Sequence, residues 1–404
     1  MHYRTGGSMS SEIKPLTGLR GLAALLVLMS HYVVWTAPFP IAKLPEIITR
    51  YSSGLATLGM VMFFTLSGYV IALNYSSWEW GRRPLLCLTR FFLYRFARLY
   101  PAFFLFACVI LLRTRALHAP FDSTTLEEIG IHLLLWQSWL PVKYHEVLAI
   151  DDYFHVSWSL STECGLYILF AVVAIFAARL PSGRHRATLL LACTAGIMFS
   201  ILYVLWKGRS YFMPAGWSAA EWHRWLFHLF PISIAAEFWL GVLAFRLSKS
   251  PAFRIGTLPR SLSIFGVAAF VTLYLLVVAK VLDEDSFIFA LLSATVVACA
   301  MVGVAGGGAV NKFLASDAMV FLGTISYSLY LFHFITPGVV VADTFSAFEG
   351  AGSYYYLLNF GMSFLLAVAL ATGIYRMVEL PARQKIRMLA DRALGLQKLD
   401  RGIA

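Results

Sequence analysis

The run Leu19-Arg20-Gly21-Leu22-Ala23-Ala24-Leu25-Leu26-Val27-Leu28-Met29-Ser30-His31-Tyr32-Val33-Val34-Trp35 decides the fold class. An apolar stretch of roughly 17 to 25 residues matches the hydrocarbon thickness of a bilayer when coiled into a helix. This run could pass for the core of a signal peptide. It lacks a small-residue cleavage site, carries a charge and a histidine, and is followed by many similar runs, so it reads as a retained helix.

Working outward, ten such runs recur, near residues 17–36, 54–75, 97–114, 156–179, 186–206, 229–247, 261–281, 286–306, 319–341 and 354–378. The stretch from Leu126 to Leu140 is apolar but short, with Glu127 and Glu128 at its start, and reads as an interfacial or re-entrant helix. The whole chain of 404 residues is 59% hydrophobic and only 13% charged, with a mean hydropathy of +0.73. Soluble domains average about 25% charged residues, so this chain has too little polar surface to coat a globule. The expectation is an all-α integral membrane protein, a bundle of about ten transmembrane helices. It forms a single domain over residues 1–404, with its core at about 14–385 and a basic tail at 386–404.

The net charge of +11 would suggest nucleic acid in a soluble protein. Here the basic residues gather in alternate loops, and no nucleic-acid partner is expected. Arg82, Arg83, Arg90 and Arg95 fall on one side, joined by Arg184, Arg186, Arg246, Lys249, Arg254, Arg260 and the tail from Arg383 to Arg401. The opposite segments carry Asp151, Asp152, Asp283 to Asp285, Asp343 and Glu349. The positive-inside rule then places both termini in the cytoplasm. Cys87, Cys108, Cys164, Cys193 and Cys299 show neither metal-ligand spacing nor a disulfide framework. With no His-Glu-x-x-His pattern either, no metal is expected. The glycines from Gly303 to Gly308 match no phosphate-binding loop.

A charge at mid-bilayer depth costs on the order of 3 kcal/mol, so ionisable residues inside spans are functional candidates. Arg20 and His31 are eleven positions apart, which leaves them about 20° apart around a helix and roughly 16 Å apart along it. They share a face, as functional groups or as a snorkelling arginine and a hydrogen-bonded core histidine. Ser67 and Gly68 permit close helix packing; no nucleophile elbow surrounds Ser67. Arg95 and Arg98, at i and i+3 at the cytoplasmic start of the third span, can grip a phosphate or serve as an ordinary basic flank. In the fourth span His155, Ser159, Glu163 and Tyr167 form a polar stripe at four-residue steps. A carboxylate at the depth of Glu163 needs a partner, and His31 is at a similar depth. Trp158 opens the same span, where an interfacial-belt ring is common. Glu237 reads as a second carboxylate or a bond to a neighbouring helix. Ser326, Tyr330 and His333 lie close to one face of the ninth span, and Pro381 is expected to stop the tenth.

In this order, the motifs resemble the acyltransferase-3 family of polytopic membrane O-acyltransferases. The matching pieces are Arg20 with His31, Phe63-Phe64 leading to Ser67-Gly68, and Arg95-x-x-Arg98 before Tyr100-Pro101. Trp158-Ser159-Leu160 with Glu163 and Tyr167, then Ser326-Tyr327 with Tyr330-Leu331 and His333, and Glu379 before Pro381, complete the match over roughly residues 14 to 385. The resemblance implies a multi-pass protein of the bacterial cytoplasmic (inner) membrane. It also implies an acyl-CoA donor, commonly acetyl-CoA, and a carbohydrate-containing acceptor such as a cell-surface polysaccharide or a glycosylated small molecule. Some relatives carry an extracytoplasmic SGNH-type domain. This chain is expected to be a stand-alone member, transferring its acyl group directly or to a separate extracytoplasmic acyl-accepting protein.

On that resemblance His31 is expected as general base or transient acyl carrier, with Glu163 orienting it. Arg20, Arg95 and Arg98 are expected on the phosphates of CoA. Trp158, Ser159, Tyr167, Ser326, Tyr330 and His333 are expected to support the acceptor or the oxyanion. A proton-coupled transporter or flippase of polysaccharide precursors, with His31 and Glu163 as a proton relay, is the alternative.

Overall fold

The computed structural model describes residues 13–35, 46–117, 123–144, 147–148, 154–180, 186–250, 258–283, 286–303, 308–336 and 353–396. In chain order its elements are α1 (Ile13–Trp35), α2 (Glu46–Tyr75), α3 (Pro84–Leu117) and α4 (Ser123–Leu133), followed by a two-residue ladder of β1 (Lys143–Tyr144) and β2 (Val147–Leu148). Then come α5 (Trp158–Arg179), α6 (Arg186–Lys207), α7 (Arg209–Phe212), α8 (Ala219–Arg224) and α9 (Pro231–Lys249). The remainder is α10 (Leu258–Val278), α11 (Phe287–Gly303), α12 (Ala309–Leu314), α13 (Asp317–Phe332), α14 (Ser353–Ile374) and α15 (Leu380–Ala393). A helix satisfies its backbone polar groups internally, which is what a segment without water around it requires.

Each apolar run read from the sequence overlaps one of these helices; residue 36 of the first run, residues 304–306 of the eighth and residues 337–341 of the ninth lie outside the described residues. Seven helical stretches are long and apolar enough to cross a membrane by length and composition. Cys193–Lys207, Phe287–Gly303 and Asp317–Phe332 are shorter apolar helices. The chain is a helical protein of the multi-pass membrane type.

It divides into two compact units, the first made of residues 1–74 and 237–371 and the second of residues 75–236 and 372–404. In the first, α1 packs along α13 and α12, and α10 packs along α11. Glycine makes the α1–α13 approach close. A Cβ on Gly323 would land on the backbone carbonyl of Thr17, and one on Gly21 would crowd the backbone of Met319 and Gly323. The same device joins α2 to α9, where Gly68 lies on the carbonyl of Phe238 and Gly241 on that of Thr65. Lipid gives no hydrophobic drive between spans, so such backbone-to-backbone packing holds them together. In the second unit α3 packs along α15, and α5 along α6. A cluster of Trp217, Trp222, Trp225, Leu226, Leu229 and Phe230 fills the space beside α6 and α8.

Two local expectations are corrected. The third span does not begin near residue 97: α3 starts at Pro84, whose missing N–H costs nothing in a first helical turn. It runs on through Pro101, so Arg95 and Arg98 sit well inside a 34-residue helix rather than at its flank. In the fourth span α5 begins at Trp158, so the helix holds Ser159, Glu163 and Tyr167 while His155–Ser157 form a 3₁₀ turn before it. Pro381 does not stop the tenth helix. A π-helical turn at Tyr375–Glu379 re-phases the chain, and Pro381 falls in the first turn of α15, where proline is tolerated.

The α1–α13 contact gives a stability test. Gly323→Val is expected to destabilise the detergent-solubilised protein by at least about 2 kcal/mol, since neither backbone can yield. Gly130→Ala, in α4 with nothing within 4 Å of the new methyl, should match or slightly exceed the parent. Equal melting temperatures for the parent and Gly323→Val would contradict the packing.

Candidate functional site

His31 lies in the last third of α1, half-buried. Its Nδ1 is 2.9 Å from Nε2 of His333, and the two rings are 22° from parallel. His333 follows the last residue of α13 and is 1% exposed. Its Nδ1 lies 2.7 Å from the Tyr330 carbonyl oxygen. Its own carbonyl accepts from the Tyr32 hydroxyl and from Thr336 Oγ1, each at 3.0 Å, and its backbone N–H donates to the Leu329 carbonyl. The polar face of α1 therefore meets the end of α13 in a histidine pair held by buried hydrogen bonds.

The second unit gathers charge around α3. Arg95 donates from Nη2 to the Tyr75 hydroxyl at 2.6 Å. Its guanidinium stands 5.1 Å from the ring centre of Tyr75 and 5.5 Å from that of Tyr167. Cation–π contacts of this kind hold an arginine without neutralising it. The Tyr167 hydroxyl donates to Glu163, one turn earlier on α5, and the carboxylate is near enough to interact with the charge of Arg95. The Nε of Arg95 is buried with no hydrogen-bond partner among the described residues. One turn further on, Arg98 donates to Glu379, which is fully buried. Arg383 Nη1 lies 4.0 Å from the same carboxylate oxygen, so one anion serves two cations. Behind them Arg90 pairs with Asp391 at 3.2 Å, and the Tyr94 hydroxyl donates to the same carboxylate.

The other sequence-derived residues are placed as follows. Arg20 is half-buried on α1, eleven positions before His31. The Ser326 hydroxyl is buried and donates to the Gly323 carbonyl at 2.9 Å. Tyr330 sets its ring edge-on to Phe63. Ser159 is buried on α5, with Oγ 3.4 Å from the Val156 carbonyl. Trp158 packs, partly buried, against the tryptophan cluster, and its carbonyl accepts from Ser138 Oγ at 2.8 Å. Of the two residues expected to pair, His31 belongs to the first unit and Glu163 to the second. Within its own unit, Nδ1 of His31 meets His333 and Glu163 holds Tyr167. Sequence reasoning put His333 and Glu379 among the motifs but did not see what they touch. Glu379 carried a usable signal: a carboxylate directly after an apolar run calls for a cation, and Arg383 stands at i+4.

Removing the shared anion should be costly. Glu379→Gln leaves Arg98 and Arg383 facing each other, and a loss of about 3 kcal/mol or more is expected from thermal or denaturant melting. Arg98→Met combined with Glu379→Met should lose less than Glu379→Gln alone. A Glu379→Gln protein as stable as the parent would show that the pair is not buried in solution.

The acyltransferase-3 family profile, described as an acyltransferase domain, matches residues 13–376. Proteins named O-acetyltransferase OatA, from Staphylococcus aureus strains NCTC 8325 / PS 47, COL and MRSA252, are each 27% identical over 383 residues. The alignment takes in 92% of this chain and 57% of each relative, so the chain spans a little over half the length of the curated relatives it matches. No solved structure matches it. Because the family profile runs from the first described helix to the π-helical turn before α15, the chain belongs to the acyltransferase-3 family and is an acyltransferase.

Proposed function

We propose that this protein moves an acyl group, by preference acetyl, from cytoplasmic acyl-CoA to a hydroxyl of a carbohydrate-containing acceptor. The observation that carries the reading is a histidine hydrogen-bonded inside the first membrane helix of a family acyltransferase. The name of the curated relatives, O-acetyltransferase, supports acetyl as the group and oxygen as its destination. A cell-surface polysaccharide or a glycosylated small molecule remains the acceptor class, and a separate acyl-accepting protein is a further destination. In this reading the chain crosses the bacterial cytoplasmic membrane ten times with both termini inside, in keeping with its distribution of Lys and Arg.

His31 is the catalytic residue. It takes the proton of the acceptor hydroxyl as that oxygen attacks the thioester carbonyl; the C–O bond forms, the C–S bond breaks, and the CoA thiolate recovers the proton. Arg20, Arg95 and Arg98 are the donor-binding residues. Arg95 suits the role best, because its buried Nε is a donor awaiting an acceptor and its other contacts leave its charge in place. Arg98 already answers Glu379 and contributes as part of a group with Arg383 that keeps an excess positive charge. Glu163 acts through Tyr167, which it holds against the guanidinium of Arg95.

Ligand-dependent melting tests the donor. Acetyl-CoA at a hundred times its dissociation constant should stabilise the purified protein by about 2.7 kcal/mol. Arg95→Ala with Arg98→Ala should melt at one temperature with or without acetyl-CoA. A parent protein indifferent to acetyl-CoA, longer acyl-CoAs and free CoA would overturn the reading.

A further inference from the structure

We propose that His333 is a positioning residue that fixes the tautomer of His31, so that Nε2 of His31 carries the lone pair that does the chemistry. The inference rests on the acyl-transfer reading above. The Tyr330 carbonyl can only accept, so the hydrogen in the 2.7 Å contact belongs to Nδ1 of His333. A neutral His333 then has its lone pair on Nε2, 2.9 Å from Nδ1 of His31. Two lone pairs cannot face each other at that distance, so Nδ1 of His31 supplies the hydrogen. A neutral His31 is left with its lone pair on Nε2. One backbone carbonyl thus sets the protonation of two rings in series, as a carbonyl or carboxylate sets the tautomer of a metal-binding or catalytic histidine.

The second ring is built to hold this polarity. His333 is fully enclosed, its carbonyl is clasped by Tyr32 and Thr336, and its N–H continues the helical ladder to Leu329. It cannot turn over without breaking buried hydrogen bonds. It also stands at the carbonyl end of α13, where the helix presents partial negative charge. When Nε2 of His31 takes the acceptor proton, the positive charge is shared along His31, His333 and that helix end, while both Nδ1 hydrogens stay in place. If His31 instead carries the acyl group, the same nitrogen attacks: the Nε2–C bond forms as the C–S bond breaks and CoA leaves as the thiolate; the acceptor oxygen then forms its C–O bond as the Nε2–C bond breaks, and its proton passes through the freed Nε2 to that thiolate. Both routes need the tautomer that His333 imposes. Nδ1 of His31 is also where the carboxylate of a serine-protease triad would bind; here a second imidazole takes that place.

Two variants separate positioning from packing. His333→Gln keeps a carbonyl oxygen able to accept from His31 Nδ1–H, whereas His333→Leu fills the space with no acceptor. With acetyl-CoA as donor and native membrane saccharide as acceptor, His333→Leu is expected to lose at least about a hundredfold in kcat. Its KM for acetyl-CoA should be nearly unchanged, and His333→Gln should recover most of the loss. The ring-nitrogen spectrum of ¹⁵N-histidine protein, assigned with His31→Ala, needs no acceptor: His31 should show an unprotonated Nε2 in the parent and lose that preference in His333→Leu. A parent His31 protonated on Nε2, or a folded His333→Leu with full kcat, overturns the inference while leaving the acyl-transfer reading standing. Full kcat in His31→Ala would instead sink that reading itself.

Discussion

Lipid offers no hydrogen bonds, and most of this molecule follows from that. Backbone groups close on themselves as helices, helices without a hydrophobic drive between them approach through glycine, and each polar side chain inside the protein must find a partner there. Several polar residues are paired in this way: Tyr32 with His333, Tyr69 with Ser248, Arg95 with Tyr75, Arg98 with Glu379.

The link from packing to chemistry is clearest in the first unit. Gly21 and Gly323 let α1 and α13 approach backbone to backbone. His31 lies ten residues after Gly21, and His333 ten residues after Gly323. At 1.5 Å per residue both histidines stand roughly 15 Å along their helices from the glycine contact, so one close approach sets the distance of the other. A side chain at the glycines would spread the helices and part the rings. The same logic explains why histidine suits this place: it is the side chain that can accept at one nitrogen while donating at the other, and so pass a polarity fixed by backbone to a reacting atom.

Much of the architecture was legible in the sequence because apolar length is a strong signal, and the helices overlap all ten runs. The start of α3 was not, since Arg90 and Arg95 interrupt the apolar pattern and read as a basic flank; their partners Asp391 and Tyr75 keep them inside a helix. Pro381 was misread because proline both ends helices and begins them, and the π-helical turn before it has no sequence signature. The site residues were found one by one from their expense in a membrane. Their partners were hidden: His31 and His333 are 302 positions apart, and Arg98 and Glu379 are 281. No periodicity within one helix reports a contact of that span.

The most direct measurement is transfer of labelled acetyl from acetyl-CoA, supplied to the cytoplasmic face of inverted membrane vesicles, into their saccharide fraction. The account predicts steady incorporation by the parent protein and a loss of at least about a hundredfold in His31→Gln, with the variant still folded and still stabilised by acetyl-CoA. Undiminished incorporation by that variant would contradict it.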